Sequence, residues 1–275
     1  MDFQTKYITP DIKLSVYKEK LSTTEVFFDH HMLIWSISGE TKIIQADGTC
    51  VFNPGDIFLI PRHKLTSVIL TPKDGYPHKS VAMHLSAATL KEFYHHLELT
   101  QSVMPLNDIM CYKNHPLLES FMASLIPYFD MQDKFPENIA ALKITEAISI
   151  LRSVDIKVDR LLANFEEPGK IDLVDFMEKN YMFNITMEKF GYQTGRSLTT
   201  FKRDFKKSFN TTPQKWLTTK RLELAYYYLQ EKKRKPVDVY FEAGFENLSH
   251  FSFAFKKHYG YSPTHVLNQS SENLR

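Results

Sequence analysis

Near its C-terminus the chain repeats itself at a fixed offset of 50 residues, and that repeat limits the possible fold more than any other feature. Phe201, Phe205, Lys206, Lys207 and Pro213 return as Phe251, Phe255, Lys256, Lys257 and Pro263. Phe209 returns conservatively as Tyr259, and Thr212 as Ser262. Seven matches at one offset within 13 residues are hard to ascribe to chance. Two copies are too few to stack into a solenoid, which needs three or more, so the repeat reads as a duplicated small motif.

Each copy has the parts of a helix-turn-helix. In the first, Thr186 caps a short helix running to about Tyr192, a turn follows at Gln193–Arg196, and Ser197 caps a second helix from Leu198 to about Phe209. Leu198, Phe201, Phe205 and Phe209 fall at i, i+3, i+7 and i+11, one inward face. The other side presents Thr199, Thr200, Lys202, Arg203 and Lys206, hydroxyls and cations suited to base edges and phosphates. In the second copy Pro236 opens a short helix Val237–Ala243, Gly244–Glu246 makes the turn, and Asn247 caps the recognition helix. Leu248, Phe251, Phe255 and Tyr259 repeat the inward face, leaving Ser249, His250, Ser252, Phe253, Lys256 and Lys257 outside.

Between the copies, Thr212 and Pro213 start one long helix to about Lys232, with Trp216, Leu217, Lys220, Leu224, Tyr228 and Leu229 spaced as its amphipathic face. Such a strut of about 20 residues spans ~30 Å. One turn of B-DNA is ~34 Å, the separation at which two recognition helices enter successive major grooves on one face.

Charge divides along the chain in the same sense. Residues 168–275 hold 18 Lys and Arg against 11 Asp and Glu, a net +7, whereas residues 1–167 are net −5. An acidic half joined to a basic half points to two tasks, with the basic half facing a polyanion. The start of the chain lacks a basic-then-apolar secretory pattern, and no apolar run approaches the ~20 residues of a membrane span. With only Cys50 and Cys111 there is no disulfide framework, which fits a reducing cytoplasm; both read as buried small hydrophobes.

Residues 12 to about 86 read as short strands. Leu33–Ile37, Lys42–Gln45 and Asp56–Ile60 are rich in β-branched and aromatic residues, punctuated by Ser38-Gly39, Asp47-Gly48 and Asn53-Pro54-Gly55. Regular short strands predict a small barrel or jelly roll. From about Ala87 the period becomes helical, with Leu142, Ala147, Ile150, Leu151, Val154, Val158, Leu161 and Leu162 in one stretch over 139–165. Glu166–Gly169 then reads as a linker. The expected organisation is an α+β chain of two domains: 1–165, linker 166–169, an all-helical 170–268 and a tail 269–275.

Residues 170–268 resemble the DNA-binding domain of the AraC/XylS family of transcription regulators. The resemblance rests on Gly244-Phe245-Glu246-Asn247-Leu248-Ser249-His250-Phe251 through Phe255-Lys256-Lys257, Gly260 and Ser262-Pro263. It extends to Thr194–Leu198 with Phe201–Lys207 in the first copy. It implies base contacts from Thr199, Lys202 and Arg203, and from Leu248, Ser249, His250 and Phe253. Two departures stand out: Phe253 occupies a position where arginine is common, and Gly191 replaces an alanine, which weakens the first short helix by up to ~1 kcal/mol. The N-terminal half resembles the cupin-like sensor and dimerisation domain of such regulators. That resemblance implies a small effector or a regulatory protein as ligand and RNA polymerase as partner of an activator. The apolar stripe over 139–165 is broad for a lone helix and reads either as a homodimer surface or as a face packed on the barrel. Double-stranded DNA is the expected partner, with no membrane, metal or cofactor and no catalysis.

The main rival is a metal-dependent cupin enzyme fused to a DNA-binding domain. Cupin enzymes need a His-x-His set, and here His30 and His31 are adjacent while His63 stands alone. His30, His31, His63 and His84 therefore read as structural or surface residues. A Phe- and Lys-rich helix taken alone is equally a core face beside a solvated face; duplication, caps and resemblance together favour DNA. His250 reads equally as a cap or a base contact, Lys232–Lys235 as a solvated loop, and Tyr226–Tyr228 as core.

Overall fold

A computed structural model of the chain describes residues 3–95, 97, 106–131 and 137–266; the expected tail lies outside them. Turn chemistry sets the strand order. Gly39, at φ +79°, lies between β4 (His31–Ser38) and β5 (Glu40–Gln45), where a Cβ would sit 2.7 Å from the Thr71 carbonyl. Gln45 pairs directly with Gly48, closing a two-residue hairpin to β6 (Gly48–Phe52). Gly55, at φ +94°, then turns the chain into β7 (Ile57–Ile60).

With β1 (Phe3–Thr9), β2 (Ile12–Tyr17), β3 (Leu21–Phe27), β8 (Leu65–Thr71), β9 (His78–Leu85) and β10 (Met110–Tyr112), these strands form two antiparallel sheets. Their orders are β1-β2-β9-β4-β7-β10 and β3-β8-β5-β6. Both sheets are open, so the jelly-roll half of the expectation holds and a closed barrel does not. The run Ile57-Phe58-Leu59-Ile60 is apolar throughout because β7 is buried on both faces. Phe58 and Ile60 meet Met32, Ile43, Phe52 and Ala82 between the sheets. Ile57 and Leu59 join Leu33, Val81 and Met83 under the helices.

Those helices are α1 (Ala87–His95), α2 (Pro116–Ser124), α3 (Glu137–Val154) and α4 (Asp159–Leu162). The helical stretch over 139–165 breaks after Val154, where Asp155 turns extended and its carboxylate accepts from the Lys157 amide. Asp159 accepts from Arg152 at 2.7 and 3.0 Å and from the Tyr94 hydroxyl at 2.6 Å, tying α4 to α3 and α1. Leu142 is 63% exposed, and the buried face of α3 is Ala140, Ile144, Ala147, Ile148 and Leu151. The cysteines also depart from expectation: Cys111 is exposed on an edge strand and Cys50 half-buried.

After an irregular stretch come α5 (Leu173–Asn180), α6 (Met187–Gln193), α7 (Leu198–Phe209), α8 (Pro213–Gln230), α9 (Pro236–Val239) and α10 (Leu248–Tyr259). They enclose two separate cores. One gathers Leu173, Met177, Phe190, Phe201, Phe205 and Leu217, together with Leu65 of β8. The other gathers Leu222, Ala225, Leu229, Val239, Phe251 and Phe255. The strut α8 serves both, and its apolar face switches where a five-residue step from Leu217 to Leu222 turns about 140° round the helix. It is therefore not the single amphipathic stripe expected. Tyr227, 45% exposed, points away from both cores. Among the described residues no helix is long and apolar enough to cross a membrane.

Candidate nucleic-acid interface

The two recognition helices are built alike. Ser197 accepts from the Thr200 amide at 3.3 Å, and Asn247, 50 residues on, accepts from the His250 amide at 2.7 Å. At the far ends Asn210 and Gly260, again 50 apart, close the helices in left-handed conformation. Phe201 and Phe251, Phe205 and Phe255 are fully buried. The first unit has one added requirement: a Cβ on Gly191 would lie 2.9 Å from the Arg196 carbonyl. The residue expected to weaken α6 thus lets α6 and α7 approach.

The opposite faces differ. On α7, Thr199, Lys202, Arg203 and Lys206 are exposed, while Thr200 is half-buried and takes part in the Ser197 cap. The Arg203 side chain is 74% exposed, its guanidinium resting 3.3 Å from the Asp204 carboxylate. Lys207, which the sequence reading passed over although it repeats as Lys257, is exposed beside Lys206. On α10, Ser249, His250, Lys256 and Lys257 are exposed, and Phe253 is 70% exposed. Leu248 does not join the inward face: it is 37% exposed, and Phe245 from the turn takes the core place. His250 supplies its amide to the Asn247 cap, and its ring lies 5.9 Å from that of Phe245.

The second short helix is also smaller than expected. α9 ends at Val239, and residues 240–244 continue as turns. β-branched and aromatic residues at Val237, Val239, Tyr240 and Phe241 favour helix weakly. Arg234 is not a solvated loop residue, since it holds Glu242 through two hydrogen bonds at 2.8 and 3.0 Å.

The N-terminal half touches this assembly at the first unit. Tyr192 and Gln193, at the end of α6, bond to the His63 ring and carbonyl in the β7–β8 turn. Arg62 donates to the Asn164 and Glu166 carbonyls. The 169–170 backbone packs on Gly195, where a Cβ would sit 2.4 Å from it. A weaker contact, Lys42 to Glu242 at 4.0 Å, reaches the second unit. His31 is buried and accepts from the Arg62 amide at 3.1 Å; burial pushes its pKa down to about 3, so it stays neutral.

Residues 192–269 match a family model described as a helix-turn-helix domain, and residues 31–155 match the ExsA N-terminal regulatory domain. The chain is 26% identical over 238 residues to the HTH-type transcriptional regulator ExsA of Pseudomonas aeruginosa, covering 83% of this chain and 82% of that one. It is 28% identical over 161 residues to the virulence regulon transcriptional activator VirF of Yersinia enterocolitica, covering 57% and 58%. Among solved structures, an apo ToxT variant from Vibrio cholerae strain SCE256 aligns over 94% of this chain and 97% of its own. Its sequence identity is 13% and its TM-score 0.46.

Proposed function

We propose, for a chain that belongs to the AraC/XylS family of transcription regulators, that it is an activator reading one DNA site as two blocks, one per helix-turn-helix. The observation that carries this is the pair of recognition helices with matched aromatic inner faces and exposed outer faces, hydroxyl-bearing and cationic on α7 and mixed polar and apolar on α10, joined by an 18-residue strut of about 27 Å. Lys206, Lys256 and Lys257 neutralise phosphates, which sets affinity and its fall with salt. Thr199, Lys202 and Arg203 read base edges in one block. Leu248, Ser249, His250 and Phe253 read the other, with the exposed Phe253 ring against a thymine methyl.

On this reading residues 1–165 and 170–268 are separate domains joined by 166–169, the protein works in the cytoplasm and catalyses nothing, and RNA polymerase is its partner at a promoter. The first domain senses a small effector or a regulatory protein and pairs two copies through 139–165. Its signal has a physical route, because the β7–β8 turn rests on α6. The test is selection of full-length protein on randomised duplexes. Recovered sites carrying two blocks about one helical turn apart support the reading. Salt-fragile binding without a shared motif would sink it.

A further inference from the structure

Two units on one strut read a site of fixed spacing only if the angle between them is held. The two hydrophobic cores do not supply that hold, being separate clusters at opposite ends of α8. A polar contact at the middle of the strut does. Arg221 projects from α8 into the α5–α6 loop of the first unit. Its Nε donates to the Tyr181 carbonyl at 2.9 Å, Nη2 to the Phe183 carbonyl at 2.8 Å and Nη1 to the Asn184 Oδ1 at 3.2 Å.

The same loop meets the turn of the second unit. Asn184 Nδ2 donates to Glu246 Oε1 at 2.8 Å. Gly244, at φ +88°, lies so close that a Cβ there would sit 2.4 Å from the Met182 carbonyl and 2.8 Å from Arg221 Nε. Burial pushes the Arg221 pKa down to about 10, with the Glu246 charge opposing the shift, so the guanidinium remains charged at neutral pH.

We propose that Arg221 is a positioning residue: with Asn184 and Glu246 it braces the two helix-turn-helix units against each other and so sets the spacing of the two DNA blocks. The inference rests on the two-block reading above. A planar guanidinium with three donors engaged fixes direction as well as distance, which a lysine cannot reproduce. The α5–α6 loop thereby links the strut, the first unit and the second turn in one rigid node.

The test measures binding of full-length wild type, Arg221→Met and Glu246→Ala to a selected two-block duplex at its natural spacing. The same duplex lengthened or shortened by one base pair, and duplexes with either block scrambled, complete the set. Wild type is expected to lose on the order of tenfold in affinity per one-pair change, the scale of a mismatched base pair. Both variants are expected to bind more weakly at the natural spacing yet lose less than about threefold when it changes, while single-block affinities stay at wild-type values. A merely structural role would lower all affinities together and leave the spacing ratio intact, and that result overturns the bracing. Glu246 is exposed, so Glu246→Ala carries the test should Arg221→Met fail to fold. A wild type indifferent to spacing overturns the brace and the two-block reading together. A spacing-sensitive wild type with equally sensitive variants overturns the brace alone.

Discussion

The two helix-turn-helix units share a scaffold and an exposed lysine pair, and differ in most of what else that scaffold presents. The first is tied on all sides: α6 is capped by Thr186, Gly191 admits α7, and Tyr192, Gln193 and Leu65 connect it to the N-terminal half. Its outer face carries cations from the second turn of α7 onward, at Lys202, Arg203, Lys206 and Lys207. The second unit has one turn of α9 with no side-chain cap, and α10 carries no lysine or arginine before Lys256. Where α7 offers Arg203, α10 offers the bare ring of Phe253. A duplicated core therefore does not dictate duplicated recognition. One unit is equipped for charge and hydrogen bonds, the other for apolar contact.

The largest expected effect tests whether the units are separable. Phe205→Ala and Phe255→Ala each remove a fully buried ring and should cost ~3–5 kcal/mol. Hydrogen exchange on the full chain should show Phe205→Ala loosening residues 61–65 as well, because Leu65 shares that core, whereas Phe255→Ala should stay local to the second unit. Equal spread from both variants would erase the distinction. Next in size, Arg203→Ala should cost ~1–3 kcal/mol at the selected site and little on scrambled DNA. Phe253→Ala should lose affinity only where its block carries thymine, and Phe253→Arg should steepen the salt slope by about one unit. Lys256→Ala should flatten that slope by about one on every sequence. Arginine and lysine variants that behave alike on cognate and scrambled duplexes would refute the division of roles.

Much of this contrast was legible in the sequence, because caps and aromatic spacing are local signals. Ser197, Asn247 and the Phe201/Phe251 pair stand where their spacing put them. What was hidden depended on tertiary neighbours. Leu248 fits the inward period, yet Phe245 reaches the core first from the turn. The face of α8 switches because two cores share one helix, and a search for one stripe averages them away. Gly191 reads as a defect until Arg196 is seen above it. Arg221 looks like any surface arginine of a basic domain, since nothing local reveals three acceptors 37 to 40 residues upstream. In the N-terminal half, β1 escaped notice because its large apolar residues Phe3 and Tyr7 are exposed. The three-residue β10 is too short to show a period.

The smallest expected effect isolates scaffold from reading most cleanly. Asn210 and Gly260 occupy the same place in the repeat and close their helices differently, at φ 54°, ψ 24° and φ 87°, ψ −11°. The first lies near the left-handed well that asparagine tolerates; the second is farther out, where glycine is favoured. A Cβ on Gly260 meets nothing within 4 Å, so any penalty there is backbone strain alone. Gly260→Asn should therefore cost up to ~1 kcal/mol. Asn210→Gly should stay within about 0.5 kcal/mol, since relief of strain is offset by a more flexible unfolded chain. Both caps lie at the end of their helices away from Thr199 and Ser249, so cognate affinity and salt slope should not move in either variant. Urea unfolding followed by duplex binding on the same samples checks both halves of the expectation. A change in base preference from either swap would mean that the C-terminal ends of these helices approach DNA, and that the reading face runs the length of α7 and α10.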